Sequence, residues 1–222
     1  MKVVITGVTG MVGEGVLLEC LEHPNITEIL SVSRRPSGRV HAKLKEYIVP
    51  DFLSLPENDE KLTGYDACFY CAGISSVGVK EPAYRQVTYD TTMAFANALK
   101  PNPRMTFLYV SGAGTDSSEK GRIMWARVKG KTENDLMQLP FKQSIGFRPA
   151  FMKPVKEQKN LPSFYKFVAW LFPVFSAAFP SIINTMEEIA LAMIEVAQHG
   201  YEKDIIEVKD IRLLAKRAKS QT

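Results

Sequence analysis

Cysteine is scarce, with three residues at positions 20, 68 and 71 in a chain of 222. That usage fits a reducing cytosol, and the expected location is cytoplasmic. Cys68 and Cys71 have the spacing of a C-x-x-C pair. However, the first lies inside an expected strand, and neither a second pair nor a nearby histidine accompanies them. No metal site is therefore expected. There is no long unbroken apolar run. The aromatic stretch Phe164 to Phe179 is short and interrupted by Pro173, too little for a transmembrane helix. There is also no dense basic stripe. The net charge is +4, and basic residues are scattered apart from Arg34–Arg35 and a tail of Arg212, Lys216, Arg217 and Lys219. No nucleic-acid partner is expected, and the tail reads as the solvated end of a frayed helix. Repeats and low-complexity segments are absent. The chain opens directly on a strand pattern, which leaves no room for a signal peptide.

A composition of 45% hydrophobic and 23% charged residues suits one α/β domain with a small C-terminal appendage. Its organising stretch is Lys2 to Val16. The β-branched run Val3-Val4-Ile5-Thr6 reads as a buried strand. Gly7-Val8-Thr9-Gly10-Met11-Val12-Gly13 follows, and Val12, Val16 and Cys20, with Leu17 and Leu21 beside them, have helical spacing. Gly7 suits the turn that ends the strand. Gly10 lets a diphosphate approach the backbone, and Gly13 lets the helix pack close on the strand. The free N–H groups of that helix start face an anion, and Thr6 and Thr9 are expected to add hydroxyl donors there. The alternative is an ordinary strand-to-helix turn. A second strand, Ile29 to Ser33, ends where a dinucleotide fold meets the adenosine ribose. NAD sites usually carry Asp or Glu at that point. This chain carries Ser33, Arg34 and Arg35, which suits clamping a 2′-phosphate, and NADP(H) is the expected cofactor. The alternative for the two arginines is a solvated surface pair.

A third strand, Lys45 to Val49, leads to Asp51 and Phe52. Asp51 could accept from an adenine amino group with Phe52 behind it, or it could simply start a turn. Leu53 to Leu62 reads as a short helix. Tyr65 to Tyr70 is a fourth strand, running into Cys71-Ala72-Gly73, a small-residue loop with room for the sugar and nicotinamide half. A helix is expected from Glu81 to Leu99. The fifth strand, Met105 to Val110, places Ser111 outside a carboxyl strand end, where ligands sit in such folds. A helix over Arg122 to Leu136 carries Trp125 and Lys129, and a sixth strand precedes Arg148 and Pro149. Thr185 caps an amphipathic helix, with Glu188 as its capping-box partner. Ile205 to Val208 is a last strand. Strands alternating with helices indicate a Rossmann-like, doubly wound parallel sheet. Residues 1–150 would form the NADP-binding part. Residues 151–222 would form a small helical aromatic cap with a closing helix and strand, all in one domain. The aromatic stretch would be a substrate-pocket cap or a dimer face. With one basic residue, Lys166, it is poor for a lipid surface, so peripheral membrane contact is not favoured. The expected state is monomer or homodimer.

Taken together, Thr6 to Gly13, Ser33 to Arg35, Asp51-Phe52, Cys71 to Gly73, Ser111 and the helix with Lys129 resemble the atypical branch of the short-chain dehydrogenase/reductases, near epimerase-like NAD(P)-binding bacterial proteins. The resemblance covers residues 1–150 well and the remainder weakly. It implies cofactor contacts from Gly7, Thr9, Gly10, Met11, Val12, Gly13, Ser33, Arg34, Arg35, Asp51, Phe52, Cys71, Ala72, Gly73, Lys129 and Pro149. It also implies a Ser–Tyr–Lys set in which Ser holds the substrate oxygen, Lys binds the nicotinamide ribose and lowers the Tyr pKa, and Tyr moves the proton. Ser111 and Lys129 match, but the Tyr position is Trp125, whose indole supplies no proton near neutral pH. Tyr84, Tyr89, Tyr109 or Asp116 could replace it. Otherwise the reaction needs no such acid, or the chain binds NADP(H) without turnover as a regulator. The leading expectation is an oxidoreductase on a small apolar carbonyl or quinone-like substrate. An epimerase is weaker, since about seventy residues after Pro149 are few for a substrate domain.

Overall fold

A computed structural model describes residues 1–161 and 182–220. The opening run forms β1 (Lys2–Thr6), followed by α1 (Met11–Glu22), β2 (Glu28–Ser33) and β3 (Leu44–Ile48). Then come β4 (Ala67–Tyr70), α2 (Glu81–Arg85), α3 (Thr91–Ala98), β5 (Thr106–Val110), α4 (Met124–Leu136) and β6 (Gln143–Arg148). Beyond a short β7 (Phe151–Lys153) the described chain resumes with β8 (Ile183–Thr185), α5 (Met186–His199), β9 (Ile205–Glu207) and α6 (Val208–Ser220). Seven strands pair in the order β3-β2-β1-β4-β5-β6-β9, and every pairing is parallel. The chain first winds outward from β1 to β3, then crosses to β4 and winds the other way. The carboxyl ends of β1 and β4 therefore diverge into a crevice at the switch point.

Alternation along β1 feeds two cores. Val3 and Ile5 join α1, α5 and α6 on one face, while Val4 joins α3 and α4 on the other. Both faces are covered, so the central strands read as near-continuous apolar runs, and every residue of β4 is buried. The expected doubly wound fold is the observed one.

Several local expectations change. Leu53 to Leu62 holds two single 3₁₀ turns, Phe52–Ser54 and Glu60–Leu62, capped by the Asp51 and Asp59 carboxylates on the backbone N–H of Leu53 and Lys61. Capping side chains compete with helix propagation there. The helix expected from Glu81 to Leu99 is crossed by a π-helical turn at Gln86–Asp90. The capping box at Thr185 and Glu188 forms with both bonds in place. The basic tail is not frayed. It forms α6, which buries Ile211, Leu214, Ala215 and Ala218, while Arg212 donates to the Ile183 carbonyl and Lys219 pairs with Glu187 on α5. The charges occupy the outer face of an amphipathic helix. The aromatic stretch Phe164 to Phe179, with the cap assigned to it, lies outside the described residues.

Candidate active site

The glycine loop sits at the mouth of the crevice. Gly7 has φ +70°, and a Cβ there would lie 2.7 Å from the backbone of Cys71 and Ala72. A Cβ on Gly13 would come within 2.3 Å of the Gly7 carbonyl oxygen, so α1 approaches the loop closely only because that atom is missing. Gly10 is exposed and serves as the N-cap of α1 without any side-chain hydrogen bond. The first N–H groups of α1 thus lack a side-chain cap, the arrangement an anionic group on a dinucleotide would meet.

One contribution differs from expectation. Thr6 is fully buried, and its Oγ1 accepts from the N–H groups of Cys71 and Ala72, both at 3.1 Å. It clamps β1 to the end of β4 and does not face the loop's mouth. Of the two threonines only Thr9 is partly exposed.

Beside the loop, a cleft of about 280 Å³ is lined by Arg34, Asp51, Phe52, Ala72, Gly73 and Ile74, among others. The Ser33 hydroxyl is turned inward and donates to the Arg35 carbonyl at 2.6 Å. Arg34 and Arg35 are exposed, and neither has an ion-pair partner among the described residues. The Asp51 carboxylate starts the 3₁₀ turn, accepting from the Leu53 N–H at 2.9 Å, and the residue lines the cleft. Phe52 is buried and stacks on Phe95 with ring centroids 5.2 Å apart, which firms the cleft floor.

A second, shallower cleft of about 460 Å³ shares Ile74 with the first. Ser111, Trp125, Lys129, Pro149 and Tyr84 line it. The structure thus brings together Ser111, Lys129 and Pro149, with Trp125 one helical turn before the lysine. Ser111 nevertheless departs from its expected role. It is 3% exposed, and its hydroxyl lies 2.5 Å from Glu133 Oε1 and 3.1 Å from the Phe147 carbonyl oxygen. A buried carboxylate is a stronger acceptor than a ligand carbonyl, so the hydroxyl is directed into the protein. Lys129 Nζ donates to the Ser111 carbonyl oxygen. Burial pushes the Lys129 amine down to about 8, against a smaller upward pull from Glu133.

Glu133 is absent from the sequence-based site, yet it connects these groups. It is 1% exposed and accepts from Ser111 and from Arg148 at Nε (3.1 Å) and Nη2 (2.5 Å). Arg148 also reaches Ser117 and Glu207. Its signal was the spacing Trp125, Lys129, Glu133, one residue per turn on one face of α4. Gly146 on β6 makes room, since a Cβ there would lie 2.4 Å from Glu133 Oε1.

The substitute proton donors separate by position. Tyr109 is buried in the core beneath the sheet face. Tyr89 binds Asp135 at 2.5 Å in a different depression. Asp116 caps its own loop through Ser118 and Gly121, which lowers its pKa. Tyr84 alone among them lines the cleft. It is 1% exposed, and burial raises its pKa. The cysteines are unpaired, and burial raises all three thiols, with Cys71 pushed up to about 12.

The chain is similar to several known proteins. Protein fmp52-1, mitochondrial, from Aspergillus terreus is 23% identical over 212 residues, covering 92% of this chain and 90% of the relative. Protein FMP52, mitochondrial, from Debaryomyces hansenii is 29% identical over 165 residues, covering 72% and 70%. These names overturn the cytoplasmic expectation. A low count of free thiols marks a reducing environment but does not separate one reducing compartment from another. Among solved structures, UDP-glucuronic acid 4-epimerase from Bacillus cereus in complex with NAD superposes with TM-score 0.65 at 11% identity, covering 94% of this chain and 76% of the epimerase. UDP-N-acetylglucosamine 4-epimerase from Methanobrevibacter ruminantium gives TM-score 0.67 at 17% identity, covering 93% and 75%. At such identities the likeness is one of fold. The atypical short-chain dehydrogenase/reductase resemblance fits these findings. The family model for the NAD dependent epimerase/dehydratase family matches residues 3–118, from β1 through the loop after Ser111 and slightly more than half of the chain, and the chain belongs to that family.

Proposed function

We propose that the protein is an NADP(H)-dependent oxidoreductase acting on a small apolar carbonyl or quinone-like substrate. The observation that carries this is the pair of adjoining clefts, with Arg34 in one and Lys129 in the other, the first lined by Ala72, whose backbone abuts Gly7. Gly7 to Gly13 would hold the pyrophosphate. Arg34 and Arg35, exposed and without carboxylate partners among the described residues, would take the 2′-phosphate, with Ser33 tying their backbone in place. Asp51 and Phe52 would flank the adenine. Cys71 to Gly73, Pro149 and Lys129 would flank the nicotinamide half. A reduced nicotinamide held there supplies hydride. The apolar substrate class is favoured by Ile74, Trp125, Pro149 and Met152 in the second cleft. In this reading residues 1–150 carry the cofactor and residues 151–222 complete the same domain. The relatives' names favour a mitochondrial compartment.

The test is a titration with NADPH and NADH followed by tryptophan fluorescence, since Trp125 lines the second cleft. Arg34→Ala with Arg35→Ala should weaken NADPH about 10- to 100-fold, as expected for the loss of charge-assisted phosphate contacts, and leave NADH nearly unchanged. A native preference for NADH would refute the NADP assignment. A second reading, a non-catalytic NADPH-binding regulator, is favoured by Trp125 at the expected tyrosine position. It predicts binding without turnover on any carbonyl or quinone.

A further inference from the structure

We infer that Lys129 itself is the proton donor and acceptor of this site, held in place by a buried Ser111–Glu133–Arg148 chain. The inference rests on the oxidoreductase reading above. Trp125 leaves the site without the tyrosine that would move the proton, and the Ser111 hydroxyl is engaged by Glu133. Among the described residues lining the cleft, the titratable side chains are Tyr84 and Lys129. Tyr84 is sealed at 1% exposure, and burial makes its proton harder to release. Lys129 keeps partial access to the cleft. Its amine is fixed by the Ser111 carbonyl, and that residue's hydroxyl is fixed by Glu133. Arg148 approaches Glu133 from β6, Tyr84 faces the cleft from α2, and Tyr109 lies on β5 beneath. Glu133 is the charge that holds the amine protonated, and burial is what loosens its proton, so the amine titrates close to working pH, where acid–base transfer is efficient.

The carbonyl carbon would gain hydride from the reduced nicotinamide, which would be left oxidised. The carbonyl π pair becomes the O–H bond to the proton leaving Nζ, and the N–H pair stays on the neutral amine. The amine then regains H+ from solvent, so carbonyl, reduced nicotinamide and one H+ give alcohol and oxidised nicotinamide.

Two measurements test this. The first uses the cofactor-free protein and needs no substrate. Competitive acetylation of lysines with trace acetic anhydride, read peptide by peptide across pH, should give Lys129 a midpoint about two pH units below the surface lysines, and lower still in Glu133→Gln. A Lys129 midpoint with the surface lysines overturns the inference, whether or not Glu133→Gln folds. The second follows NADPH oxidation with 9,10-phenanthrenequinone. Lys129→Arg keeps the charge but releases no proton. At saturating NADPH it should lose turnover by about 10²-fold or more. Undiminished turnover in Lys129→Arg overturns the inference and spares the oxidoreductase reading. No turnover by the native protein, with NADPH bound, overturns both.

Discussion

Lys129 shows how one side chain can carry both a chemical role and a stability cost. An amine held to about 8 in the folded protein, against about 10 when unfolded, binds fewer protons folded than unfolded between those values. Stability must therefore rise with pH across that window, because the native amine sheds its unfavourable charge first. Lys129→Met should be more stable relative to the native protein at pH 7 than at pH 10, as read from paired melting temperatures. A difference independent of pH would remove the buried-ammonium account. Ser111 and Thr6 teach a related lesson about residue type. Both hydroxyls were expected to face a ligand, and both are spent on internal bonds, one on Glu133 and the other on the N–H groups of Cys71 and Ala72. A hydroxyl's direction depends on which acceptor or donor is nearest in space, and residues 22 or 65 positions away supply those partners.

Among the elements, α1 and α6 contrast in legibility. The start of α1 could be read from glycine spacing, because each glycine answers a local geometric demand. The packing of α6 could not be read from its charges, since Arg212, Lys216, Arg217 and Lys219 suggest a solvated end whatever the opposite face does. Leu214 is 1% exposed and Lys216 is exposed on the same helix. Leu214→Ala should cost about 2–5 kcal/mol in urea unfolding, while Lys216→Ala should stay within about 0.5 kcal/mol. Equal, small effects would mean that α6 is frayed after all. At the other end of the same layer, Thr185→Ala removes half of a formed capping box and should cost about 1 kcal/mol, lowering the melting temperature by about 2–4 °C.

At the scale of the molecule, the C-terminal part is not an appendage to the sheet. β9 pairs with β6 at the far edge, and α5 and α6 share a core with β1 and α1. Ending the chain at Gly200 would strip β9 and α6, uncovering the β6 edge and the apolar faces of Ile189 and Met193. The shortened protein should bind hydrophobic dyes and aggregate, as seen by light scattering. A soluble, cooperatively melting fragment would show that residues 1–200 are self-sufficient. Much of the rest was open to reading along the chain: the strand–glycine loop–helix unit, the alternation that makes a parallel sheet, and the Thr185 capping box. Each of these depends on neighbours within a few residues, where spacing and side-chain type are enough. The partner of Ser111, the role of Thr6, the sealing of Tyr84 and the existence of the Glu133–Arg148 pair emerged only on folding. Each brings together groups from different strands and helices, and a linear chain carries no record of which acceptor a buried donor will meet.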